Sequence, residues 1–70
     1  MQNRNAKFAL SAAANAVDRL DRVSALRPDC PATIEALGAA LTVAHECAKD
    51  LGDRDMEGHY SERIFEMMFR

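Results

Sequence analysis

Apolar residues recur along this chain at steps of three and four, the spacing that gathers side chains on one side of a helix turning about 100° per residue. The clearest case is Pro31 to Leu51. There Val43, Ala36, Cys47, Ala40, Ala44, Leu37, Ala48, Leu41 and Ile34 spread across half the helix, while Thr42, Glu35, Glu46, Lys49 and Asp50 take the other half. An apolar stripe that wide exceeds what one neighbouring helix covers, which places this helix at the centre of an all-α unit. Ile34, Leu37, Leu41, Ala44, Ala48 and Leu51 also follow alternating steps of 3 and 4, the seam of left-handed helix packing.

Two further helices follow from the same pattern. The first begins near Asn5, a residue type suited to capping, and runs to Leu26, with Val23, Leu20, Ala13, Val17 and Leu10 on one side. Phe8 and Leu26 project on a flank outside that stripe. Arg27-Pro28-Asp29-Cys30-Pro31 then breaks the chain, because each proline disfavours helical geometry in the residue before it. Pro31 suits the first helical position, so a short turn and an antiparallel hairpin are expected. Gly52 is a natural terminator of the second helix, and either Asp53 or Asp55 can cap the third. That helix is expected from Met56 to Phe69, with Met56, Met67, Tyr60, Ile64 and Met68 on one face. Phe65 and Phe69 stand beside it, and Glu62, Arg63 and Arg70 face away. A Gly38 inside the second helix costs about 1 kcal/mol relative to alanine, which a close helix crossing would justify.

The expected architecture is thus one helical domain over residues 1–70: a hairpin of two long helices plus a shorter C-terminal helix, paired into a dimeric bundle. Size argues for the pairing. A chain of 70 residues buries only about 60% of the surface its unfolded form exposes, and chains so short usually add a disulfide framework, a metal or a second copy. Two cysteines, Cys30 and Cys47, do not make a disulfide framework. Ile34, Leu37, Leu41, Tyr60 and Ile64 are the expected dimer contacts. No apolar run approaches the roughly 20 residues of a membrane span, the polar N-terminus does not read as a secretory signal, and a cytoplasmic protein is expected.

Chemistry-bearing patterns are sparse. His45 and Cys47 are two residues apart on a helix, turned about 200° from each other, so that pair cannot grip one ion. No glycine-rich phosphate loop, metalloprotease motif or nucleophile–base pair stands in the sequence, so no catalytic residue, metal or cofactor is assigned. What remains is apolar excess. Phe65, Phe69 and Met68, rimmed by Arg63, Glu62 and Arg70, exceed what a small bundle needs and point to a non-enzymatic module that binds a protein.

Charge supplies the rival reading. Residues 1–27 carry five basic residues against Asp18 and Asp21, a net of +3, whereas residues 28–70 carry four against nine acids, a net of −5. A dimer presenting Arg4, Lys7, Arg19 and Arg22 from helix 1 could touch nucleic-acid phosphates. Helices 2 and 3 are too acidic and too poor in Arg, Asn and Gln to read a groove.

Leu26-Arg27-Pro28, Pro31, Ala36-Leu37 and His59-Tyr60-Ser61-Glu62 together resemble a family of short pseudomonad proteins of unknown function, over roughly residues 26–66. Helix 1 lies outside the resemblance, and Asp29 stands where that family typically has glycine. The resemblance implies a helical hairpin in a bacterial or phage setting and carries over no site residue. In size the chain is also similar to small phage-encoded accessory proteins that inhibit host regulators. By that analogy the expected partner is a bacterial regulatory protein.

Overall fold

The computed structural model describes residues 3–69, with the side chains of Asn3 and Arg4 left aside. Three helices follow one another: α1 (Asn3–Leu26), α2 (Pro31–Leu51) and α3 (Arg54–Met68). The fold is all-α. Helix α1 starts before Asn5, which lies within it and is not its cap.

The two breaks work through backbone chemistry. Cys30 is extended (φ −83°, ψ 109°) ahead of Pro31, and Ile34 N–H donates to the Cys30 carbonyl at 3.1 Å to start α2. At the other end Gly52 adopts φ 74°, the left-handed region where a side chain is disfavoured. Its N–H donates to the Lys49 carbonyl at 3.1 Å, and Asp53 N–H donates to the Ala48 carbonyl at 3.0 Å. This pair of reversed bonds satisfies carbonyls that a helix end otherwise leaves bare. Asp53 then caps α3, accepting from Met56 N–H at 3.1 Å through Oδ1. Asp55 and Glu57 in the first turn oppose the positive end of the helix dipole.

Helix α2 is central. It packs on α1 along one side and on α3 along another, while among the described residues no Cα of α1 comes within 8 Å of a Cα of α3. Ala13 and Val17 of α1, Leu37, Leu41 and Ala44 of α2 and Tyr60 of α3 form the buried centre. Leu10, Leu20, Met56, Ile64 and Met67 close around it. Leu41 is wholly enclosed. Gly38 is not at a close crossing: a Cβ there would meet only the Met67 methyl, at 3.9 Å.

Candidate interaction surface

The core residues correct part of the expected dimer interface. Leu37 and Leu41 of α2 and Tyr60 of α3 are buried within the single chain, in the core that α2 forms with α1 and α3. Ile64 is half-buried against the same core, and only Ile34, 42% exposed, stays substantially open.

The last two turns of α3 carry the largest open apolar side chains near one end of the molecule. Tyr60 and Met67 point into the core, and Phe65 and Phe69 project about 140° and about 180° around the helix from Tyr60. Phe65 is 62% exposed, Phe69 70% and Met68 72%. Met68 projects about 80° around the helix from Tyr60 and stays outside the core. The two phenyl rings lean on each other, centroids 4.6 Å apart and planes tilted by 41°. Such i,i+4 neighbours form a preassembled pair, with less freedom to lose on docking than two independent rings. The helix ends beneath them, where Phe69 N–H donates to the Phe65 carbonyl at 3.2 Å.

The polar rim is only partly as expected. Glu62 is exposed beside the rings. Arg63 instead turns toward α1, where Nη2 donates to Asp21 Oδ1 at 2.8 Å and Nη1 to Asp21 Oδ2 at 3.2 Å. Those hydrogen bonds hold the guanidinium above its ordinary pKa, against the opposing effect of partial burial. A cleft between Asp21, Pro28, Leu37, Arg63, Glu66 and Met67 adjoins this pair, with Arg63 already committed to Asp21. Arg70 lies outside the described residues.

A second open surface went unread in the sequence. On the side of the hairpin away from α3, Ala9, Ala12 and Ala16 of α1 and Ala40 and Val43 of α2 line a shallow groove. Val23, Ala36, Ala40 and Val43 stand within the apolar stripes of the sequence, but helical spacing alone does not show that this edge of each stripe stays open.

The basic residues of α1 do not converge. Lys7, Arg19 and Arg22 are exposed, but they span about 120° of the helix, and Asp18 projects between Lys7 and Arg22. The Arg4 side chain lies outside the described residues. Among the described residues no three His, Cys, Asp or Glu side chains stand close enough to hold a metal ion. His45 lies 3.9 Å from a carboxylate oxygen of Glu57 and the same distance from one of Glu46. Both cysteines are free. The Cys30 thiol is held below its ordinary pKa, first by the Thr33 hydroxyl and then by the first backbone N–H groups of α2. The sulfur makes no capping hydrogen bond here, so the effect belongs to the thiolate, which those donors would favour. No helix among the described residues is long and apolar enough to cross a membrane.

Surface area states the surplus most directly. A folded monomer of 7.7 kDa exposes about 4,300 Å², whereas this chain exposes 5283 Å². Its radius of gyration, 12.2 Å, exceeds the roughly 11 Å of an ordinary domain of its length. Comparison with family models, curated proteins and solved structures yields no match to this chain.

Proposed function

We propose that this protein is a small, non-enzymatic binding module that captures another protein through the apolar end of α3. One observation carries the reading: Phe65, Met68 and Phe69 are each more than three-fifths exposed on α3, the two rings on the side opposite its core and Met68 on its flank. Aromatic rings and methionine suit this work. The rings supply large contact area with few rotatable bonds, and methionine adapts to an uneven partner. Glu62 provides a charged rim, as interfaces commonly have around an apolar centre. The partner is a bacterial regulatory protein, inhibited or modulated in the cytoplasm; this rests on the size analogy and on the lack of a catalytic constellation in the sequence.

Affinity capture from a bacterial lysate, quantified by mass spectrometry, tests the proposal. Wild-type protein should retain a specific partner that the Phe65→Ser, Phe69→Ser double variant loses, with the helical circular-dichroism signal unchanged. Equal capture by the folded double variant rules out this patch.

A further inference from the structure

The groove of the α1–α2 hairpin lies on a different side from the α3 patch and needs an occupant of its own. We propose that two copies of this chain pair through this face, about a twofold axis running parallel to the helices. Three observations carry this beyond the capture of a partner by α3.

The first is a second packing seam on each helix. In α1, Ala12, Ala16, Arg19, Val23 and Leu26 follow steps of 4, 3, 4 and 3. In α2, Ala32, Ala36, Ala39 and Val43 follow steps of 4, 3 and 4. This is the spacing of left-handed helix packing, and the groove between the seams is lined by no residue of α3. The face is more than a run of small residues: Val23, Leu26 and Val43 are 41%, 84% and 49% exposed on it, and Phe8, 77% exposed, flanks it.

The second is area. The chain carries a surplus on the order of 1,000 Å² over a monomer of its mass, and a standard interface takes about 800 Å² from each partner. A face two helices wide, each about 10 Å across, on a molecule 38 Å long supplies that amount.

The third is charge, which chooses the symmetry. Arg19 is the charged member of the α1 seam, and the outer edge of α2 carries Glu35 and Glu46, all exposed. An axis parallel to the helices sets α1 of one copy against α2 of the other, antiparallel, with the basic edge over the acidic one. An axis across the helices would set α1 on α1 and basic edge on basic edge. Counting from the hairpin turn, Arg19 lies level with about position 38 of α2, within one helical turn of Glu35 of the partner subunit.

Sedimentation equilibrium of the full chain tests the pairing. The expected mass is twice 7.7 kDa. Ala12→Glu and Val43→Glu, both at positions exposed in the single chain, should each give a helical monomer. Arg19→Glu should weaken the dimer by about tenfold, and adding Glu35→Arg should restore it. Phe65→Ser with Phe69→Ser should leave the doubled mass intact, so loss of α3-mediated capture and loss of the dimer are separable. A wild-type monomer at high micromolar concentration would overturn the proposal. So would a dimer that survives both glutamate substitutions, or one abolished by the two serine substitutions.

Discussion

Asp21 and Arg63, 42 positions apart, are joined by two parallel hydrogen bonds of 2.8 and 3.2 Å. This fork ties α3 to α1, two helices with no Cα–Cα approach within 8 Å among the described residues. The Arg63 side chain is 29% exposed and that of Asp21 40%, so water and salt screen the attraction and its worth is about 0.5–1 kcal/mol. A double-mutant cycle of Asp21→Asn and Arg63→Met, read by urea denaturation, should return a coupling of that size, shrinking as salt is raised. A coupling of zero at low salt would leave the fork without a role in stability.

Leu41 has no exposed surface and belongs to the core cluster to which all three helices contribute. Leu41→Ala should cost about 2–5 kcal/mol. A chain of 70 residues has roughly 4–10 kcal/mol of total stability, so the variant should lose a large fraction of it and melt well below wild type. Thermal melting followed by circular dichroism checks this.

Gly38 within α2 and Gly52 just past its end predict opposite signs. Gly38 has helical geometry and its missing Cβ would make an ordinary contact with a flexible methyl, so Gly38→Ala should stabilise by about 0.5–1 kcal/mol. Gly52 holds φ 74° in open space, so Gly52→Ala should destabilise by about 1 kcal/mol through backbone strain alone. Paired urea titrations of the two variants decide the matter.

Tyr60 supplies a pH signature. Burial in the core, reinforced by the nearby Asp18 carboxylate, pushes its phenol above the ordinary value of 10.0. The folded state therefore keeps the proton longer than the unfolded chain does. Its contribution is fully present below about pH 10 and is lost as pH rises through the raised folded value. The melting temperature should fall across that window, and Tyr60→Phe should flatten the fall. An unchanged slope would assign the alkaline loss to other groups.

Cys30 should alkylate faster in the folded chain than in urea at neutral pH, because the start of α2 favours its thiolate. Thr33→Val, removing the first of the stabilising donors, should slow the folded rate. Mass-spectrometric peptide mapping after a short iodoacetamide pulse separates Cys30 from Cys47.

Much of the fold was legible because its punctuation is chemical. Pro31 and Gly52 impose backbone geometries that neighbours do not alter, and α2 begins and ends where they indicate. The start of α1 was misread because Asn5 is only permitted as a cap, and the helix extends past it. Helix α3 begins two residues before the expected Met56, since Asp53 takes the cap. The surfaces were harder. A wide apolar stripe on α2 says which half of the helix is greasy, and not which part a third helix will cover. So Leu37 and Leu41 read as interface residues but lie in the core, whereas Ala36, Ala40 and Val43 of the same stripe stay on the open side. Arg63 read as outward-facing because its reach across to Asp21 depends on how three helices assemble, which no local spacing encodes.

The rings at the end of α3 serve either the fold or something outside it. Urea denaturation of the Phe65→Ser, Phe69→Ser double variant, at fixed protein concentration, puts that question to the folded chain itself. A free energy of unfolding within about 0.5 kcal/mol of wild type is predicted, as for substitutions at exposed positions. A loss of about 3 kcal/mol or more, the cost of removing a buried aromatic side chain, would show that the rings belong to the core and contradict the binding role.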